Sequence, residues 1–350
     1  MGQEHQKRRS MKPWTRNLLI VLFIFILLAF IPTPYYLYQP GTVEALSKKV
    51  TVENGKKDEK GSLSLTTVLS IKATNVFVLL YGLVAPDTQV ENQKNVKGDL
   101  TDKEYNELLI HMMDSSQTNA ISAGLKAAGE NVTVRHNGVF VQAIMPNSDA
   151  KDVLQVGDVI HTLDGKTLNK TQDFIDYINS SKKVNDTVKL GFSRDGKNYT
   201  KSVKVVKLSP NSDKVGIGIA PDDTVKLDTS RKVKMNVADI GGPSAGLMFS
   251  LEILNQILPE DLTKGYKIAG TGTIDTDGHV GQIGGIRDKI VAAHKAHVDI
   301  FFCPKDLKPG DANEKDIMDE AKKRNYHIKI VPVASTTEAE NYLKKLKQKS

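Results

Sequence analysis

A serine stands in a turn of small residues, directly before an apolar segment. The turn covers residues 241–246, and Ser244 lies inside it. Apolar residues follow at helical spacing, at 247, 248, 251 and 254, until Pro259 ends the segment. Unpaired N–H groups and the positive end of the helix dipole favour a negative oxygen at such a site. The pattern therefore suits a serine nucleophile whose attack generates an oxyanion, while the alternative is a serine that only caps the helix.

A lysine follows a second glycine turn in a similar way. Gly284 and Gly285 precede a helical segment at 286–296, and Lys289 shares one side of it with alanines at 292, 293 and 296. Burial against this small-residue side and the positive helix end would both lower the pKa of Lys289. A neutral amine can accept the proton of a serine hydroxyl. The alternative is one more surface lysine in a lysine-rich chain.

Together, the Gly-Pro-Ser-Ala-Gly and Gly-Gly-x-Arg-x-Lys-x-x-Ala-Ala-His segments resemble the proteolytic domain of the Lon family of serine peptidases. The resemblance implies that Ser244 is the catalytic nucleophile and Lys289 its base. It also implies a supporting role for Thr271, in the strand-like run 268–274, as a hydrogen-bond partner of the lysine amine. Two positions depart from the ATP-dependent members of the family. Gly241 replaces an acidic residue before the serine motif, and Thr273 replaces a glutamate after the Thr-Gly pair.

The middle of the chain resembles a PDZ domain. Strand-like runs at 138–144 and 157–160 precede a short helical segment at 171–178, and a hairpin turn is predicted at Asp195-Gly196. PDZ domains bind an extended peptide by adding it to a sheet edge beside a helix. The predicted edge is 138–143, next to the helix at 171–178. The alternative is a groove that serves only internal packing.

The start of the chain carries an uninterrupted apolar run at 18–31, followed by tyrosines at 35, 36 and 38. Five basic residues precede the run, at positions 7, 8, 9, 12 and 16. This pattern predicts a single-pass transmembrane anchor at 17–38, with a cytoplasmic N-terminus and the remaining domains outside the cytoplasm. A cleaved signal peptide is the alternative. Further on, the apolar run 76–80 is predicted to be a buried strand.

The predicted fold class is α+β: a Lon-type proteolytic domain in two sequence segments, with an inserted PDZ domain and one preceding transmembrane helix. A chain of 350 residues is long enough for this organisation. The arrangement resembles the PDZ-containing, membrane-anchored Lon-like peptidases. The predicted parts are a cytoplasmic basic tail at 1–16, the anchor at 17–38, a first Lon-type segment at 39–130, the PDZ domain at 131–208 and the catalytic segment at 209–350.

Composition narrows the classes of function. The formal net charge is +7, but the basic clusters near both termini lack the aromatic interleaving of a nucleic-acid site, so no nucleic-acid partner is expected. The single cysteine, Cys303, excludes an intrachain disulfide and a multi-cysteine zinc site, and is predicted to lie in the core. The sequence has no G-x-x-x-x-G-K-[ST] loop, and its eight histidines do not gather at metal-ligand spacing. No cofactor or metal is expected.

These patterns predict an ATP-independent, membrane-anchored serine endopeptidase that hydrolyses extracytoplasmic or unfolded proteins by a Ser244–Lys289 dyad. The expected partners are protein or peptide substrates, the bilayer through the N-terminal helix and, by resemblance, further copies of the chain in a hexamer. One alternative is a non-enzymatic PDZ adaptor on a degenerate Lon-like fold. Another is a signal-peptide-processing enzyme, which would use the same dyad chemistry.

Overall fold

The computed structural model describes residues 12–56, 60–209, 211, 213–237 and 240–349. In chain order, its helices are α1 (Pro13–Ala29), α2 (Val76–Val84), α3 (Gln93–Lys97), α4 (Asp102–Ala127), α5 (Thr171–Ser181), α6 (Gly246–Ile257), α7 (Ile286–Lys295), α8 (Asn313–Lys323) and α9 (Thr336–Lys344).

Its strands are, in the same order, β1 (Tyr35–Ala45), β2 (Val50–Val52), β3 (Ser62–Lys72), β4 (Gln89–Asn92), β5 (Val132–Ile144), β6 (Val159–Leu163), β7 (Lys166–Thr167), β8 (Thr187–Arg194), β9 (Lys197–Lys204), β10 (Val206–Lys207), β11 (Val215–Gly216), β12 (Ile219–Thr229), β13 (Val233–Met235), β14 (Lys267–Gly270), β15 (Thr273–Ile274), β16 (Val280–Gly281), β17 (Ile300–Pro304) and β18 (Lys329–Val333).

The chain divides into two compact units. The first unit comprises Met1–Pro40 and Val68–Gly98. In it, the start of β1 pairs with β4 in antiparallel register, and Phe25 of α1 stacks on Phe77 of α2 with 4.6 Å between ring centroids.

The predicted anchor at 17–38 is wrong as a single helix. Helix α1 has 17 residues and ends at Ala29, and Tyr35 already belongs to β1. Pro32 and Pro34 lie between the two elements, and proline disfavours helix in the residue before it. In the part of the chain that the structure describes, no helix has both the length and the apolar character needed to cross a membrane. The predicted basic tail at 1–16 lies mostly outside the described residues.

The run 76–80 was predicted to be a buried strand, and this is also wrong. It forms α2, whose N-terminus is capped by the Asn75 side chain accepting hydrogen bonds from the N–H groups of Phe77 and Val78. Of the α2 residues only Gly82 is buried. Periodicity cannot separate a short apolar helix from a buried strand, and here the cap decides for the helix.

The second unit, Gly41–Thr67 with Asp99–Ser350, contains a parallel sheet in the order β18, β17, β14, β3. Helix α6 is buried from Gly246 to Gln256 in the core that includes Leu63, Phe302 and Leu343. Segments from before and after the PDZ-like region meet here: β3 pairs with β14, and β2 pairs with β13. Cys303 is fully buried in β17, as predicted.

The PDZ-like region of this unit is an antiparallel sheet in the order β12, β5, β6, β8, β9, with α5 packed against it. The predicted hairpin turn is confirmed, since Asp195 and Gly196 both have positive φ between β8 and β9. The predicted open edge at 138–143 is wrong. Residues 219–223 of β12 already pair with residues 139–144 of β5, so the chain itself covers that edge.

Candidate active site

Ser244 lies in the turn directly before α6, half-buried, with Ala245 as the N-cap residue. Gly242 has a φ of +87°, which glycine adopts without steric cost. At Gly246 an added Cβ would lie 2.6 Å from Ile274 Cγ2, so the helix start can approach the β15 strand only without a side chain. The small residues that were recognised in the sequence therefore allow a close-packed turn that presents the serine at the helix entrance.

The backbone of this turn is held from two sides. The Ser244 carbonyl accepts hydrogen bonds from Gly272 N–H at 2.8 Å and from Thr271 Oγ1 at 2.9 Å. On the other side, Ser116 Oγ of α4 donates to the Pro243 carbonyl at 3.0 Å. The Thr-Gly pair and α4 thereby fix the direction in which the Ser244 side chain leaves the turn.

Lys289 enters the same place from the first turns of α7. Its side chain is 3% exposed, and its Nζ contacts three oxygens: Ser244 Oγ at 2.9 Å, Thr66 O at 3.0 Å and Thr271 Oγ1 at 3.1 Å. The structure thus brings together all three residues that the sequence pointed to, Ser244, Lys289 and Thr271. It adds the carbonyl of Thr66, which the sequence did not indicate.

The three hydrogen-bond partners of Lys289 Nζ show which protonation state of the lysine allows Ser244 to donate its hydroxyl hydrogen. The Thr66 carbonyl can only accept, and Thr271 Oγ1 uses its hydrogen on the Ser244 carbonyl. A neutral amine has two hydrogens and one lone pair. Those two hydrogens match Thr66 O and Thr271 Oγ1, so the lone pair remains for the hydroxyl hydrogen of Ser244. In the neutral state the amine is therefore the base and Ser244 its proton donor.

The electrostatic setting shifts the lysine toward the same state. Burial lowers the pKa of Lys289 from 10.5 to about 8, because desolvation penalises the ammonium. A substantial fraction of the amine is then neutral at mildly alkaline pH, whereas an exposed lysine would be almost fully charged. Desolvation is one of the two influences expected from the sequence.

Two contributors could not be read from the sequence. Thr66 acts through its main-chain carbonyl, which has no side-chain signature, and it reaches the site because β3 pairs with β14. Ser116 belongs to α4, and nothing in its type or spacing shows that it would bind the Pro243 carbonyl. Both depend on chain segments more than a hundred residues from the serine turn.

A second concave site lies in the PDZ-like region, between α5 and the edge of β12. It is a groove of about 240 Å³ with an apolar floor. Phe174 and Ile178 of α5 line one side, and Ile217, Ile219 and Pro221 line the other. In the described sheet β12 is an edge strand, so this edge replaces the one expected at 138–143.

Two family models match the chain. The Lon protease (S16) C-terminal proteolytic domain matches residues 215–345, a range that contains Ser244, Thr271 and Lys289. The PDZ domain matches residues 127–205. Of the two elements that border the groove, α5 therefore lies in the range matched by the PDZ domain, and β12 lies in the range matched by the Lon domain.

Relatives and solved structures match parts of the chain. A Lon protease of Mesomycoplasma hyopneumoniae is 35% identical over 92 residues, which are 26% of this chain and 10% of that protein. Lon protease 1 of Bacillus subtilis is 32% identical over 103 residues, which are 29% of this chain and 12% of that protein. The PDZ domain of an SdrC-like protein from Listeria monocytogenes is 39% identical, with a TM-score of 0.23, over 24% of this chain and 87% of that chain. The chain thus spans about a tenth of the length of the Lon relatives.

A proteolytic domain of the Lon type and a PDZ domain therefore occur in one chain. This combination of matches agrees with the PDZ-containing, Lon-like class that the sequence motifs indicate.

Proposed function

We propose that the chain is a serine endopeptidase that hydrolyses peptide bonds by a Ser244–Lys289 dyad, without ATP. The observation that carries the proposal is the 2.9 Å contact between Lys289 Nζ and Ser244 Oγ, made by a buried amine whose two other partners are acceptors. The match to the Lon proteolytic domain, which includes both residues, supports it.

In the first half of the reaction, neutral Lys289 accepts the hydroxyl proton as Ser244 Oγ attacks the scissile carbonyl carbon. The carbonyl π electrons move to oxygen, and N–H groups of the turn before α6 stabilise the resulting oxyanion. Collapse of the intermediate breaks the C–N bond. Lys289 returns its proton to the leaving amine, so the first product departs and an acyl-enzyme ester remains on Ser244.

In the second half, water takes the place of the leaving amine. Lys289 accepts a proton from the attacking water, and the second tetrahedral intermediate expels Ser244 Oγ, which recovers that proton from the lysine. Thr271 and the Thr66 carbonyl keep the amine in place through both halves, since each binds an N–H that does not take part in proton transfer.

Independence from ATP is supported by the absence of a nucleotide-binding G-x-x-x-x-G-K-[ST] loop in the sequence. Substrates are then extended or already unfolded segments. The test is hydrolysis of unfolded casein by the full chain in detergent, with and without ATP and magnesium. Equal rates support the proposal. Hydrolysis only with ATP, or no hydrolysis of any unfolded substrate, contradicts it.

The PDZ groove is proposed to bind a peptide segment of a substrate or partner, by strand addition to the open edge of β12 beside α5. The apolar side chains of the groove favour an apolar residue in the peptide. This places the peptide one strand away from the edge expected from the sequence, because β12 covers β5.

Replacing Ile175 with lysine is expected to weaken peptide binding by roughly ten-fold or more, because it places a charge at the groove lining without disturbing the buried core. Ile175 is 37% exposed and lines the groove. The matched control is Val184→Lys, at a 45% exposed position that does not line the groove. Binding of a fluorescent peptide with an apolar end, measured by anisotropy, checks it. Equal affinity in both variants would place the peptide elsewhere.

We further propose that the protein is attached to the cell membrane through α1, with its other domains outside the cytoplasm. The support is that no residue of α1 is buried and that basic residues precede it in the sequence. Protease added to intact cells is expected to digest the PDZ and Lon-type domains.

A hexameric ring is proposed on the family resemblance alone, and sedimentation of the purified full chain tests it.

No observation at the dyad favours the competing function, a PDZ adaptor without peptidase activity. An adaptor needs neither a buried amine nor the three oxygens arranged around it, and a buried lysine without a role costs stability.

A further inference from the structure

Helix α2 of the first unit presents large apolar side chains to the outside. Leu80, Tyr81, Leu83 and Val84 are 52%, 53%, 64% and 82% exposed, and Gly82 is the buried residue of the helix. No charged residue occurs in the sequence between Lys72 and Asp87. Contiguous apolar surface of this kind marks an interaction site in a folded protein.

This surface continues onto α1. Phe77 of α2 stacks on Phe25 of α1, with 4.6 Å between ring centroids. The apolar side chains of α1 from Leu18 to Leu27 are each about half exposed, and Trp14 is 72% exposed. The two helices thereby form one apolar surface within this unit, which we call the α1–α2 face.

We propose that α2 lies in the interfacial region of a lipid bilayer, as a second membrane contact beside α1. The inference rests on the proposed membrane attachment through α1, and it adds that a separate segment, about fifty residues later in the chain, is also in contact with lipid. An apolar helix in the interface plane buries its face at the boundary between headgroups and acyl chains.

Two observations favour lipid over a second copy of the chain. Helix α2 is continuous with α1, the proposed membrane contact, through the stacking of Phe77 on Phe25, so a bilayer that contacts α1 also reaches α2. Tyr81 also combines an exposed ring with a hydroxyl that lies 3.4 Å from Gln39 Nε2 and accepts its hydrogen bond. Such side chains, apolar over most of their surface with one polar end, are enriched at membrane interfaces.

The test uses tryptophan fluorescence of the full chain in phosphatidylcholine vesicles that contain brominated lipid, a contact quencher. Trp14 is the single tryptophan of the sequence, so the unaltered chain reports on α1. A variant with Trp14→Phe and Tyr81→Trp reports on α2. The control carries Trp14→Phe and Leu307→Trp, at a 59% exposed position of the second unit.

The expected result is quenching of the Tyr81→Trp emission by roughly half or more, stronger with bromine near the headgroups than with bromine at the chain ends. The Leu307→Trp control is expected to keep its emission. If Trp14 is quenched and the Tyr81→Trp variant resembles the control, the inference about α2 is overturned and attachment through α1 stands. If neither site is quenched, both are overturned. A blue-shifted, unquenched Tyr81→Trp emission would indicate a protein contact and would also overturn the inference.

Discussion

Replacing Ser244 with alanine is expected to lower kcat/KM for unfolded casein by roughly 10³-fold or more, because the acyl-enzyme can no longer form. The fold should be retained. The Ser244 backbone carbonyl, which binds Gly272 N–H and Thr271 Oγ1, is unchanged by the substitution. The loss is therefore expected in kcat, with peptide binding to the PDZ groove unaltered.

The matched control is Ser202→Ala, at an exposed serine of β9 outside both the dyad and the groove. Initial rates of casein hydrolysis and thermal unfolding, measured in parallel on both variants, separate loss of chemistry from loss of structure. Hydrolysis by the Ser244→Ala variant at the rate of the unaltered protein would remove this residue from the mechanism.

Replacing Lys289 with methionine is expected to cause a loss of similar size, since it removes the only group that the structure places to accept the Ser244 proton within the described residues. Methionine keeps the length of the side chain and is compatible with the buried site. The Lys289→Arg variant should also be inactive, because a guanidinium does not lose its proton in a protein.

The Lys289→Met variant also tests the lowered pKa of Lys289, through the pH dependence of the free energy of unfolding. The pKa of Lys289 is lowered to about 8 in the folded chain from 10.5. Between these values the unfolded chain binds a proton that the folded chain has lost, so the free energy of unfolding rises with pH. Relative to Lys289→Met, the unaltered protein is expected to gain about 3 kcal/mol between pH 7 and pH 11. Urea unfolding of both proteins over this range checks it, and a constant difference would mean an unperturbed lysine.

Much of the site could be predicted because its parts are local in sequence. The turn at 241–246 and the helix after it follow from glycine, proline and apolar spacing, and α6 begins at Gly246 beside Ser244 as expected. Thr101 and Glu104 form a capping box at the start of α4, a feature that their Thr-x-x-Glu spacing is enough to indicate. Such features depend on neighbouring residues only, so a single sequence contains the information.

The errors have two sources, pairing between distant segments and ambiguous local signals. Nothing in residues 138–143 shows that β12, some eighty residues later, would cover that edge and expose its own. The run 76–80 fits a strand as well as a helix, and the Asn75 cap was not recognised. The apolar run at 18–31 suggested a longer helix than α1, which ends at Ala29 before two prolines. The Thr66 carbonyl enters the site through pairing of β3 with β14.

The pH dependence of kcat/KM for casein hydrolysis tests the central claim most directly, because it reports the proton that Lys289 must lose before Ser244 can attack. The account predicts a rising limb of unit slope with a midpoint near the pKa of about 8, and no activity above background in Ser244→Ala or Lys289→Met. A limb with a midpoint near 6, or hydrolysis that persists in both variants, would contradict the dyad.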